Sequence, residues 1–323
     1  MSKKNTQQET VTTPSKVYNF CSKKKLILGV VVAVLVVFIA GAIIRGIHLA
    51  IEFKGGTLIT YTYQGDINTN DVGSTVKDIV GSSVNVRTGE NLDSGGKQLT
   101  ISFTSDQGLT ADRQTELTNA LKEKFAVNSL EIYDSNDVSP SSGREFLLKC
   151  FIAVLFAAFI VIIYIAIRFK NIGGWSAGVC SIFALCLDVL VAFTTTIVCG
   201  FSVDSNIVAV ILTILGYSIN NTIVIYDRIR ENRHLMPKAS LNELINVSCT
   251  QSLTRSIRTS VTTIGTMAII TIVVLVTGYD SLLSFSVPLM MGLISGTFSS
   301  LFVAPVTWSW WKSKQDKKAK SSK

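Results

Sequence analysis

The sequence predicts a polytopic α-helical membrane protein of six spans that carries one small α/β domain outside the membrane. Three observations predict this class. Hydrophobic residues make up 48% of the 323 positions, and they gather in blocks of about 20, the length of helix that crosses a bilayer core. Lys and Arg collect in alternate connections between those blocks, the asymmetry that sets orientation. Between the first two blocks the periodicity changes to strand and short-helix patterns.

The blocks cover residues 26–49, 146–167, 175–199, 206–226, 259–277 and 282–306. Basic residues crowd the N-terminal arm (Lys3, Lys4, Lys16, Lys23, Lys24, Lys25), the second connection within the span region (Arg228, Arg230, Arg233, Lys238) and the tail from Lys312 onward. Arg168 and Lys170 follow the second span, whereas residues 200–204 and 278–281 carry none. Both termini are therefore expected in the cytoplasm, with residues 50–143 on the outside of the membrane. The division is a disordered arm (1–25), a first span (26–49), an external α/β domain (50–143), a five-span membrane domain (144–307) and a basic tail (308–323). Ala40-Gly41-Ala42 imitates a cleavage site, but the apolar run around it is long enough for an uncleaved anchor.

The net charge of +8 is a topological signal and an attraction to anionic lipid, with no nucleic acid required as ligand. All six cysteines avoid residues 50–143, so no disulfide framework is expected there. The two histidines, His48 and His234, fall on opposite sides of the membrane, and neither a metal site nor a cofactor is expected.

Within the external segment the elements alternate. Residues 57–63 read as strand, 69–80 as helix, 83–87 and 98–103 as strands, 110–125 as helix and 129–133 as strand, an order that suits a ferredoxin-like domain. Its acidic residues are scattered without His or Cys, which favours docking over hydrolysis. No Gly-x-x-x-x-Gly-Lys stretch occurs, so the chain is not expected to be an enzyme that consumes nucleotide.

Four of the spans carry unusual content. Ser181, Asp188 and Thr195 fall seven apart, with Asp188 near mid-span, where an unpaired carboxylate costs about 2.5 kcal/mol or more. Asp188 is either a neutral hydrogen-bonded tie or a titrating group. The fourth span presents Thr213, Tyr217, Asn220 and Asp227, with Asn221 beside them, and the fifth presents Arg255, Arg258, Thr259, Thr262, Thr263 and Thr266. Such stripes cannot face lipid, so the third, fourth and fifth spans are expected to face one another or a partner around a polar seam. Arg258 has the alternative of snorkelling to the headgroups. Gly292, Ser295, Gly296 and Ser299 give the sixth span a small-residue face for close helix contact.

Two stretches carry a resemblance. Gly216-Tyr217-Ser218-Ile219-Asn220-Asn221-Thr222-Ile223-Val224-Ile225-Tyr226-Asp227-Arg228-Ile229-Arg230-Glu231-Asn232 closely resembles the fourth span of the SecD/SecF family of the bacterial Sec export machinery. Phe53-Lys54-Gly55-Gly56-Thr57 resembles the Phe-x-Gly-Gly-Thr element that follows the first span there. Residues 251–263 resemble that family's fifth-span motif, which places its functional arginine at Arg255, with Arg258 an additional charge. The resemblance implies an RND-like half in the plasma membrane of a bacterial cell that works with SecD beside the SecYEG translocon, with YajC as an optional further partner, and helps to move preproteins at the expense of the proton gradient. It also implies a proton pathway through the Asp188, Asn220, Asn221, Asp227 and Arg255 region. One residue departs: the family has Asp where this chain has Asn221, an amide that cannot titrate. The proton route is therefore either lost or shared with SecD, or moved to Asp188 with Asp227 as exit. A non-titrating scaffold for SecD and a half-size RND exporter of lipid or small molecules are the competing readings.

Overall fold

The computed structural model describes residues 16–81, 84–90, 96–103, 110–277 and 280–321. Six helices among them are long and apolar enough to cross a membrane. They are α1 (Lys24–Arg45), α5 (Pro140–Arg168), α6 (Gly174–Cys199), α7 (Asn206–Leu235), α8 (Leu241–Thr277) and a sixth rod built from α9 (Asp280–Phe298) and α10 (Ala304–Ser321). A single turn of π-helix, Ser299–Val303, joins the two halves of that rod. Pro305 brings no N–H to the first turn of α10, and the turn before it widens so that the Ala304 N–H donates to Ser299 O.

Between α1 and α5 lie α2 (Ile51–Lys54), β1 (Gly56–Tyr63), α3 (Thr69–Val80), β2 (Val84–Glu90), β3 (Lys97–Phe103), α4 (Ala111–Lys124) and β4 (Glu131–Val138). The strands form one antiparallel sheet in the order β2-β3-β1-β4, the ferredoxin-like arrangement expected from the element order. Alternation decides which face is core. Ile59, Tyr61 and Tyr63 of β1 and Leu99, Ile101 and Phe103 of β3 are buried against Val72, Val76, Leu117 and Leu121 of the two helices, each large side chain worth about 1.5–3 kcal/mol. Ser83, placed at the start of a strand by the sequence reading, lies outside the described residues, and so do Gly278 and Tyr279. The last strand runs further than residues 129–133. Its far half, Asp134 to Val138, has weak β-formers and an exposed edge, and main-chain pairing with residues 56–60 of β1 holds it.

The other sheet face, with Asn85 and Arg87 of β2 and Thr100 and Ser102 of β3, covers the end of the helical bundle across a polar cleft of about 420 Å³. Asn85 Nδ2 donates to Ser202 Oγ at 2.9 Å. Leu49 pairs with Val203 in a short parallel bridge, and the Ser205 N–H donates to the Glu52 carboxylate at 2.8 Å. Asp204 shares this cleft. Its carboxyl is held above the usual range by burial and by the neighbouring Glu52, with Arg87 opposing.

Part of the N-terminal arm corrects the expectation of disorder. Residues 1–15 lie outside the description, but Phe20 and Cys21 are buried, and the N–H groups of both donate to Asn246 Oδ1 of α8 at 2.9 and 3.1 Å. Two apolar side chains and a ready acceptor offset the ordering entropy of that short segment.

Candidate functional site

The site forms where α9 wedges against α6 and α7. Gly292 of α9 stands so close to α7 that a Cβ there would lie 2.1 Å from Ile214 Cδ1, and a Cβ on Gly296 would lie 3.2 Å from Ser218 Cβ. Backbone approach of this kind needs residues without side chains. It brings three hydroxyls onto one carboxylate. Ser218 of α7 donates to Asp188 Oδ2 at 2.7 Å, Ser299 of the π-turn donates to the same oxygen at 2.7 Å, and Ser295 of α9 donates to Oδ1 at 2.6 Å.

Asp188 is fully buried, and no cation pairs with it among the described residues. An ionised carboxylate only accepts, so it can take all three donors. A protonated one donates through one oxygen, and one of the three serine hydroxyls then accepts where it donated before. The charge state of Asp188 is thereby written into the α6–α7–α9 contact.

The remaining predicted residues distribute differently. Asn221, one turn beyond Ser218, is buried and its Nδ2 has no partner among the described residues. Asn220 is exposed. Asp227 lies at the end of α7 near the termini, 2.9 Å from the Arg168 guanidinium and 3.1 Å from that of Arg230. Arg255 is exposed on α8 and makes no ion pair among the described residues.

The part of the expectation in which the third, fourth and fifth spans close a polar seam on one another is thus corrected, and the α8 stripe is left exposed, as the alternative of a partner requires. The sixth span packs on α6, α7 and α8 alike, and it supplies the polar partners that α8 was expected to supply. Ser181 and Thr195, expected to share a face with Asp188, turn back to Ala177 O and Val191 O of their own helix. Toward α8, α7 offers Tyr217, whose hydroxyl donates to Ser260 Oγ at 2.8 Å and lies 3.3 Å from Thr297 Oγ1 of α9. Sequence reasoning took Ser295 and Ser299 for packing residues. Their four-residue spacing beside two glycines was the available signal, and it does not distinguish a small contact surface from a set of donors.

The re-entry element is tightly built. Gly55 and Gly56 have φ of +84° and +145°, values that side chains rarely adopt. Phe53 stacks on Phe146 at 5.7 Å, and Gly143 at the start of α5 sits so close that a Cβ would meet Phe53 and Gly55 backbone at 3.0 Å. Thr57 is buried and its hydroxyl has no partner among the described residues.

Residues 117–314 match the family of protein export membrane proteins SecD/SecF, C-terminal part, and residues 42–67 match the SecD/SecF GG motif. The chain belongs to the SecD/SecF family. Protein translocase subunit SecF of Petrotoga mobilis is 29% identical over 88% of this chain and 93% of its own length. That of Alicyclobacillus acidocaldarius is 32% identical over 87% and 89%. The fused SecDF of Bacillus subtilis is 31% identical over 95% of this chain but only 40% of its own. Crystal structures of SecDF agree: the one from Thermus, described as a translocon-associated membrane protein, superposes with a TM-score of 0.75 at 25% identity over 93% of this chain and 39% of that one. As a SecD/SecF protein the chain is a multi-pass membrane protein and an accessory subunit of Sec protein export, related to the SecF part of fused SecDF proteins.

Proposed function

We propose that this chain is the SecF-type half of a unit completed by SecD, that it lies in the plasma membrane with both termini in the cytoplasm, and that Asp188 is the group of this half that gains and loses a proton during export. SecYEG, YajC and preproteins are its further partners, and it performs no enzymatic step of its own. The placement of Lys and Arg supports the orientation. One observation carries the role of Asp188: a fully buried carboxylate whose hydrogen-bond partners among the described residues are hydroxyls from α7, α9 and the π-turn.

Protonation there neutralises the buried charge and reverses the direction of one serine contact between α6, α7 and α9, a local event that biases a two-state packing. Asn221, which stands where the family has Asp, supplies hydrogen-bonding groups but no proton. Asp227, paired with two arginines near the cytoplasmic face, is the exit of the route. Export measured against an imposed proton gradient in vesicles tests this. Asp188→Asn is expected to abolish gradient dependence while export driven by other energy persists, and Asn221→Asp to restore part of it.

A second reading keeps the same family and makes the chain a non-titrating scaffold for SecD. The sealing of Asp188 from water favours it. Under that reading Asp188→Asn leaves the gradient dependence intact. The half-size exporter is disfavoured by a cleft toward the membrane in which Glu52, Lys54, Arg87 and Asp204 stand among the apolar side chains, so that it offers no wholly apolar pocket.

A further inference from the structure

A groove of about 340 Å³ opens on the outer side of the bundle between α1, α6 and α10. Its walls are Ile27, Leu28 and Val31 of α1, Phe183 of α6 and Val306 of α10. Thr307, also in the wall, donates its hydroxyl to Val303 O of its own helix, so the wall stays apolar. At one end stand Lys24 and Lys25 and the indole of Trp310, and Lys314 Nζ lies 3.8 Å from the centre of that indole ring. Neither Lys24, Lys25 nor Lys314 pairs with a carboxylate among the described residues. The first turn of α1 contains no acidic residue, so the positive end of the helix adds to the same field.

We infer that this groove binds one anionic phospholipid, its phosphate between the lysines and one acyl chain lying along Ile27, Leu28, Val31 and Phe183. Charge complementarity selects the headgroup, and Trp310 marks the headgroup level where an indole is half apolar and half wet. The volume falls in the range of small-ligand sites. A helix from another protein is the wrong shape: the groove follows α1 only from Lys24 to Val31, about 11 Å, whereas a helix seam would continue along the span. Basic pockets between spans are recognised binding places for anionic headgroups. The lipid belongs to the leaflet on the side of the termini. That this leaflet is the cytoplasmic one rests on the orientation proposed above, but retention of the lipid does not, so either can fail alone.

Native mass spectrometry of the full chain in mild detergent, titrated with phosphatidylglycerol or phosphatidylcholine, tests the assignment. The wild type is expected to retain one phosphatidylglycerol and to release phosphatidylcholine. Lys24→Gln with Lys25→Gln is expected to weaken phosphatidylglycerol about 30-fold, from the typical contribution of one lysine near a charged surface taken twice. Lys24→Arg with Lys25→Arg should keep it, and so should Lys77→Gln with Lys122→Gln, an equal loss of charge in the α/β domain. Leu28→Trp, which fills the groove and leaves the lysines in place, should lose the lipid, as surface attraction alone would not require. Equal retention of the two lipids, undiminished phosphatidylglycerol in the glutamine pair, or undiminished phosphatidylglycerol in Leu28→Trp would each overturn the site.

Discussion

The membrane domain holds two polar regions with opposite finish. Around Asp188, every hydroxyl of Ser218, Ser295 and Ser299 points inward and is satisfied. On α8, Arg255, Arg258, Thr259, Thr262 and Thr266 are exposed. The threonines there settle onto their own backbone, Thr262 on Thr259 O and Thr266 on Thr262 O, but the two guanidinium groups have no such recourse. An arginine facing hydrocarbon costs about 2.5–3.5 kcal/mol near the centre of a span. The first region is completed by this chain, whereas the second calls for headgroups or another protein to cover it. A single chain therefore carries one site that folding closes and one surface that assembly closes, in keeping with the proposed SecD partner.

Mutation of the two regions should break them in different ways. The largest effect is expected at Asp188→Leu, which strands three hydroxyls without their shared acceptor and costs on the order of 3 kcal/mol of membrane-domain stability. Arg255→Leu should leave stability in detergent unchanged, because the side chain is exposed and makes no ion pair among the described residues, while it impairs export and weakens copurification with SecD. Thermal unfolding of both purified variants, set beside pull-down yields, checks the contrast. If Arg255→Leu destabilises the isolated chain as much as Asp188→Leu does, the distinction between closed and open regions is wrong.

A middle-sized effect probes how the closed region is held. Gly292→Ala places a methyl against Ile214, and overpacking of this kind costs about 1–3 kcal/mol. Ile214→Ala removes both Cδ1 and Cγ1, which a Cβ at Gly292 would meet at 2.1 and 2.8 Å, so the double variant should lose less stability than the two single variants summed. A double-mutant cycle with purely additive terms would show that the close approach of α9 and α7 is not what shapes the Asp188 site.

The smallest effect extends the comparison to the cleft between the α/β domain and the bundle, a polar region outside the span region. The Asp204 carboxyl titrates above its ordinary value because of burial and Glu52, against Arg87 and the hydrogen bonds from Asn206. The docked form therefore holds more protons than the unfolded one near that value. Its contribution to stability is present below about pH 3.9, the ordinary aspartate value, and is lost as the pH rises through the higher folded value. Hydrogen exchange in β2 should accordingly be slower at the acidic end of that window. Asp204→Asn should flatten the dependence, and an unchanged slope would remove Asp204 from the docking contact.

Much of the architecture was legible because its causes are local. The helix at Thr69–Val80 coincides with its sequence reading, since Val72 and Val76 repeat at helical spacing and the Asn68 side chain accepts from the Asn70 N–H at its start. Other features resisted. The docked Phe20 and Cys21 could not be read from the arm, because their acceptor, Asn246, lies 226 residues away from Phe20. Asn220 and Asn221 adjoin in sequence, yet one is exposed and the other buried, since a 100° step on a helix decides between outside and inside only after the neighbours are in place.

By itself the sequence determined the six spans, the α/β domain and the double-glycine re-entry, and its motifs were enough to suggest the family. Hydropathy, period and backbone permissiveness act over a turn or a strand and need no distant partner. Only the tertiary structure decided that the sixth span, and not the fifth, furnishes two of the three donors for Asp188, and that Arg255 is left on the outside. Both outcomes depend on which helix comes closest, and that was settled by Gly292 and Gly296 in α9, whose missing side chains let Ser295 and Ser299 reach a carboxylate more than a hundred residues earlier in the chain.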